Sequence, residues 1–319
     1  MHHDLGEEEE GLVRDQRVRD RFRGCLVGLA VGDALGAAAE FLSEEQVRAQ
    51  FGQLRDYRDS YWRAGQYTDD TAMARCIAES LVQHRDVVLS DIADRFVHWM
   101  LTDGAGIGSQ TAAVLTQIHA GQDALAASDQ VWEQTGRRAA GNGGVMRCAP
   151  IALFRWRSQK ALIRDSCDTC RLTHADPRCQ WSCVATNVAI AALLAGRDAA
   201  HQEAGSAVLG RCGELERALA TAARVRVSEM RIDGWDQGYT LVTTKVAFAA
   251  LCDGKPFEEA LVGVVGKGGD ADTNGAVAGA LLGARDGYEA IPARWREGLL
   301  AHGELVALSD ELFEIAGAH

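Results

Sequence analysis

The chain has 319 residues, of which 33 are Lys or Arg and 45 are Asp or Glu, giving a formal charge of −12 at pH 7. So acidic a surface repels nucleic-acid phosphates and anionic lipid, which disfavours nonspecific binding to either as the main activity. With 47% hydrophobic and 24% charged residues the chain can bury a large core, and four prolines among Ala- and Leu-rich runs favour helices and nearly exclude an all-β fold.

Residues 1–14, with the run Glu7 to Glu10, read as a solvated acidic tail without a signal-peptide core. No apolar run approaches the roughly 20 residues of a membrane span, so a cytoplasmic chain is expected. A first helix is predicted from near Gln16 through Gly24, Gly28, Gly32 and Gly36. Glycine costs a helix about 1 kcal/mol relative to alanine, so four in register mark a face approached closely by another backbone or by a ligand that meets Asp33 and Glu40. A second helix starts at Thr68-Asp69-Asp70-Thr71, where simple N-capping is the alternative to a chemical role. Further helices are predicted over 90–100, 109–120, 179–195, 214–228, 239–252 and 257–265. The last runs from Asn274 to Ala284, with Gly275, Gly279 and Gly283 again four apart. No repeat or linker divides the chain, so one catalytic domain is expected over 15–319, an all-α bundle of roughly ten or more helices.

Nine cysteines cannot all pair, and reduced thiols are the plain expectation. Cys167, Cys170, Cys179 and Cys183, around His174, offer zinc as an alternative. Two acidic clusters stand at helix starts 200 positions apart, Thr68-Asp69-Asp70 and Asp270-Ala271-Asp272-Thr273. Each joins two carboxylates to a hydroxyl, a hard oxygen set suited to Mg²⁺ or Mn²⁺, and four carboxylates would balance two such ions. Familiar alternatives fail on spacing. Met73 stands where an Asp-Asp-x-x-Asp helix needs its third acid, and Leu261 and Gly268 break a P-loop around Gly266-Lys267.

The turn Gly141-Asn142-Gly143-Gly144-Val145-Met146-Arg147 reads either as a plain loop or as a cradle of backbone N–H groups for phosphate. Thr173-His174-Ala175-Asp176-Pro177 reads as a turn before a helix.

Taken in order, these segments resemble the ADP-ribosylglycohydrolase family, which includes the dinitrogenase-reductase-activating glycohydrolases and the ADP-ribosylarginine and ADP-ribosylserine hydrolases. The matching pieces are GCLVGLAVGDALGAAAEF at 24–41, YTDDTAM at 67–73, GNGGVMRCAPIAL at 141–153, THADP at 173–177 and GGDADTNGAVAGALLGA at 268–284. The resemblance spans residues 18 to about 300 and implies a compact all-helical fold with a binuclear Mg²⁺ (or Mn²⁺) centre in a cleft. Its implied ligands are Thr68, Asp69, Asp70, Asp270, Asp272 and Thr273. Glu40 matches a glutamate beside the metals that helps position or activate the reacting groups. Asn142, Gly143, Gly144, Met146 and His174 match the lining for ADP-ribose, and Tyr239 an aromatic ring near the substrate. Asp33, Gly106 and Gly108 complete the expected binding residues.

The implied reaction is hydrolysis of the ribosyl C1 bond of an ADP-ribosylated protein, releasing ADP-ribose. Arginine-linked members often carry Asp-Ile-Gly where this chain has Gly106-Ile107-Gly108, a departure that keeps serine-linked, base-linked and free ADP-ribosyl substrates in play. Asp103 could stand in for the missing acid. A rival reading is a catalytically silent binding protein. Another is an antagonist that occludes an ADP-ribosylating toxin through the Glu7–Glu10 tail. A monomer is the default.

Overall fold

The structure, a computed structural model, describes residues 2–317, with side chains from Asp15 onward. The expectation of a solvated tail over 1–14 concerns side chains outside the described residues. Sixteen α-helices are formed among the described residues, with two isolated β-bridges and no strand. In chain order they are α1 (His2–Gly36), α2 (Glu44–Phe51), α3 (Asp69–His84), α4 (Leu89–Thr102), α5 (Ser109–His119), α6 (Ala124–Gln134), α7 (Ala149–Arg155) and α8 (Gln159–Arg171). They continue as α9 (Pro177–Leu194), α10 (Ala200–Val208), α11 (Gly213–Ala222), α12 (Thr240–Cys252), α13 (Phe257–Val265), α14 (Ala271–Asp286), α15 (Ala293–Gly298) and α16 (His302–Gly317).

The all-α expectation holds, with differences at the edges. α1 begins well before Gln16. The helix predicted over 214–228 stops at Ala222, and Arg226 beyond it is extended at φ −75° and ψ 150°. α2, α6, α7, α8, α10, α15 and α16 were not expected. α2 is only eight residues long, and a capping box in which Ser43 and Gln46 exchange bonds starts it. α16 buries Leu305, Leu312 and Ile315 on one face, with Val306, Leu308 and Phe313 partly buried beside them.

The core is built on helices that are buried all round. α9, α12 and α14 are apolar on nearly every face and sit inside a shell of amphipathic helices such as α4, α8 and α11. Pro177 opens α9, where its missing N–H costs nothing, and Asp176 caps it by accepting from Arg178 N at 2.8 Å.

One contact decides the architecture. The glycine stripe of α1 lies directly on the glycine stripe of α14, in antiparallel order. A Cβ on Gly24 would meet Gly283 O at 2.3 Å, one on Gly28 would meet Gly279 O at 2.4 Å, and one on Gly32 would meet Gly275 O at 1.9 Å. A Cβ on Gly36 would meet Ala271 O at 2.2 Å. No methyl group fits between these backbones, so the lost helix propensity is offset by packing at backbone distance. The order of the pairs brings the C-terminal end of α1 to the N-terminal end of α14. Among the described residues no helix is long and apolar enough to cross a membrane.

Candidate active site

The turn that follows α1 lies against the loop that enters α14. Phe41 N–H donates to Gly269 O at 2.7 Å and Gly269 N–H donates to Leu42 O at 2.8 Å. Gly268 has φ +66°, and a Cβ there would stand 2.1 Å from Leu42 O, so only glycine admits this crossing. Glu40 is thereby held beside Asp270 and Asp272. One carboxylate oxygen from each of the three lies within 4.8 Å of the others.

α3 delivers the other acidic cluster, and its N-terminus explains why two acids there remain available. Thr68 makes no capping bond with its own side chain. Instead Asp33, fully buried on α1, accepts from Thr68 N at 2.8 Å, Thr71 N at 3.0 Å and Thr71 Oγ1 at 2.5 Å. Capping is thus done by a residue 35 positions away. Asp69 and Asp70 are released from it. Thr68 Oγ1 donates to Asp70 Oδ2 at 3.1 Å, while Asp70 Oδ1 is buried without a partner. Asp33 therefore lies behind the acidic cluster and is absent from the cavity wall.

A cavity of about 390 Å³ opens over these groups. Glu40, Asp69, Asp270, Asp272 and Thr273 line one side, and Gly106, Gly108, Gln110, Thr111, Asn142, Gly143, Met146 and His174 line the rest. Thr68 borders a neighbouring hollow with Trp62, Gln66 and Asp103.

Electrostatically the site is strained toward a cation. Burial pushes Glu40 up to about 7, with Asp270 and Asp33 adding to the rise and the Trp62 indole opposing it. Burial likewise raises Asp69, Asp70 and Asp272, and their mutual repulsion raises them further. Asp270 is raised by burial too, although bonds from Asp272, Asn142 and Thr273 oppose the change. Among the described residues no Arg or Lys forms an ion pair with Asp33, Glu40, Asp69, Asp70, Asp270 or Asp272. Five buried carboxyls and the half-buried Glu40, none with a basic partner and one with an orphaned oxygen, fit a site built for hard cations.

The glycine-rich turn forms the facing wall. Asn142 anchors it: its N–H donates to Gly238 O at 3.0 Å, and its Nδ2 donates to Asp270 Oδ2 at 2.7 Å and to Thr243 Oγ1 at 2.9 Å. Gly143 lies against His174, where a Cβ would come within 2.7 Å of Cε1. Gly144 packs away from the cavity on Cys170 and Cys183. His174 Nδ1 is 2.8 Å from Thr173 Oγ1, and burial, helped by Arg147, pushes its pKa down to about 3. It is a neutral imidazole. Tyr239 is bridged to Gly141 and accepts from Arg178 Nη1 at 3.2 Å, outside the cavity wall.

Gly106 has φ +85°, and a Cβ there would come within 2.9 Å of Asp69 Oδ1. Any side chain is strained at this φ, and a carboxylate would in addition stand against the Asp69 charge. The zinc alternative fails on geometry. Cys179 Sγ lies 3.2 Å from Gly141 O and Cys170 Sγ lies 3.5 Å from His174 O, and among the described residues only the acidic trio gathers ligand atoms as a metal needs.

A profile of the ADP-ribosylglycohydrolase family matches residues 14–319. The chain belongs to that family. It is accordingly a glycosyl hydrolase. An ADP-ribosyl-[dinitrogen reductase] glycohydrolase of Rhodospirillum rubrum is 29% identical, over 94% of this chain and 98% of that protein. An ADP-ribosylarginine hydrolase, Tri1, of Serratia proteamaculans is 28% identical, over 96% of this chain and 82% of that protein. The solved structure of an ADP-ribosylglycohydrolase-related protein complex superposes with a TM-score of 0.78 at 30% identity, covering 94% of this chain and 99% of that one.

Within this ADP-ribosylglycohydrolase several site residues carry no signal in the sequence. Trp62 lies in an irregular segment, Gln110 and Thr111 in an ordinary helix start, and Thr243 inside an apolar helix. Only the tertiary contacts reveal them. Phe41 follows Glu40 directly and could have been flagged by that adjacency alone.

Proposed function

We propose that this protein hydrolyses the ribosyl C1 bond of ADP-ribosylated protein, with arginine as the linked residue, and releases ADP-ribose. The observation that carries the reading is that two distant acidic clusters without basic partners meet at one cavity, whose wall takes Asp69 from one and Asp270, Asp272 and Thr273 from the other, with Asp70 fully buried. Thr68, Asp69, Asp70, Asp270, Asp272 and Thr273 would hold two Mg²⁺ (or Mn²⁺), with Glu40 beside them. When bound, such ions supply Lewis acidity and help orient ribose hydroxyls and water.

The chain's own groups do the rest. Breaking the C1 bond builds positive charge on the ribose ring, which the carboxylates of Asp69 and Asp272 stabilise at close range. Glu40, at the cavity edge, takes the proton of the attacking water. The proton and the hydroxyl of that water end on the leaving nitrogen and on C1. The backbone N–H groups of Gly141 and Gly143, on either side of the Asn142 N–H that Gly238 O holds, receive the pyrophosphate, which the acidic surface would otherwise repel. A neutral His174 supports that wall without adding charge.

The arginine linkage rests on the name borne by the Serratia relative, and Gly106 is the feature that argues for testing serine beside it. A monomeric, cytoplasmic enzyme acting through one catalytic domain over 15–319 completes the proposal. The test is release of ADP-ribose from matched arginine- and serine-linked substrates, with Mg²⁺ and then with EDTA. Asp70→Ala and Asp272→Ala are expected to remove nearly all turnover while circular dichroism remains that of the folded protein. Unchanged turnover in either variant refutes the metal-ligand assignment.

A further inference from the structure

The turn after α1 carries an unexplained cost. Phe41 has φ +61° and is 67% exposed. A bulky residue in the left-handed region is strained, and an exposed phenyl ring recovers little of that by burial. The other non-glycine residues with positive φ are of a different kind. Arg85 ends α3 with its N–H on Leu81 O, Arg137 closes α6 with its N–H on Trp132 O, and Ala301 is small. At position 41 the backbone is already served by the exchange with Gly269, and a glycine would make the same bonds without strain. The side chain, then, is what the position retains, and it lines the cavity beside Glu40, Asp69 and Gly106.

We infer that Phe41 is a specificity-determining residue whose ring lies against the departing guanidinium of an arginine-linked substrate. A planar cation gains from an aromatic face, whereas a neutral serine hydroxyl gains nothing comparable. Gly106 leaves that approach clear, since any side chain there would crowd Asp69. The inference rests on the proposed hydrolysis of arginine-linked ADP-ribose and adds to it the group that selects the linkage.

The experiment compares kcat and KM on arginine- and serine-linked substrates, with inhibition by free ADP-ribose as a third readout. Phe41→Leu keeps apolar bulk and removes the π face. It should raise KM for the arginine substrate about two- to fivefold, the range of an exposed cation–π contact, while leaving its kcat and both serine parameters unchanged. Phe41→Tyr should behave as wild type. Phe41→Gly relieves the backbone and should melt no lower than wild type while losing the same preference. Equal shifts for both linkages, or weaker inhibition by ADP-ribose, would place the ring on the shared ADP-ribosyl part and overturn the inference. No shift in any parameter would overturn it as well. If wild type releases ADP-ribose only from the serine substrate, the cation is absent and the inference falls. Release from neither conjugate instead refutes the proposed function, and the inference with it.

Discussion

Asp33→Asn separates two roles for this residue, the contact with ligand expected from the sequence and the support of α3 seen in the structure. Asp33 Oδ1 accepts from Thr68 N, and Oδ2 accepts both from Thr71 N and from Thr71 Oγ1. An asparagine has one carbonyl oxygen and one amide nitrogen to set against the same donors. Whichever way it is turned, the nitrogen faces a backbone N–H. The Thr71 hydroxyl can rotate to accept from it, but one buried backbone donor loses its partner, at a cost of about 1–3 kcal/mol. Loss of the Asp33 charge works the other way, since that charge raises Asp69, Asp70 and Asp272, so the net loss belongs at the lower end of the range. Guanidinium denaturation should therefore show a drop of about 1–2 kcal/mol. Asp69 and Asp70 are carried by the same helix start, and a displacement there should lower kcat about tenfold or more, with KM nearly unchanged. The reverse pattern, a raised KM with unaltered stability, would show that Asp33 meets the substrate and does not support the start of α3.

Two further outcomes test the fold and the cavity wall. Gly32→Ala places a Cβ 1.9 Å from Gly275 O, so α1 and α14 must part; we expect a loss of more than about 4 kcal/mol, or failure to fold. Gly263→Ala, in a helix interior with nothing within 4 Å of the new methyl, should raise stability by about 0.5–1 kcal/mol, and equal melting of the two variants would contradict the packing of α1 on α14. His174 is held neutral in the folded state, with its pKa moved from 6.5 to about 3. Between those values the unfolded chain binds a proton that the folded chain refuses. Its contribution is thus fully present above pH 6.5 and is lost as the pH falls toward about 3, by up to about 5 kcal/mol in all. His174→Gln should flatten the decline of stability between pH 6.5 and 4, and parallel curves for the two proteins would count against the buried neutral imidazole.

Helical character was legible from composition, and most long helices from their periodicity, because an α-helix is a local object whose hydrogen bonds close within four residues. α3, α9, α12, α13 and α14 fall close to where the sequence puts them. α2, α7, α10 and α15 escaped notice because none exceeds nine residues, too short to show a repeating face, whereas α6, α8 and α16 are of ordinary length and were missed although each buries one. The candidate site was legible as chemistry, since paired aspartates with a threonine at two helix starts are an unusual concentration of hard oxygen donors. Its arrangement was not. Nothing in Thr68-Asp69-Asp70-Thr71 tells whether its acids cap their own helix, and the answer depends on Asp33, which supplies the cap from α1.

Sequence alone determined that α1 and α14 each carry a face of small residues, because a spacing of four repeats on one side of a helix. Only the tertiary structure decided that these two faces meet, in antiparallel order and at backbone distance. That contact sets Glu40 beside Asp270 and Asp272, about 230 positions along the chain. Periodicity reports which side of a helix is bare but not what will cover it; the partner is fixed by complementary shape, which exists only once both helices are in place.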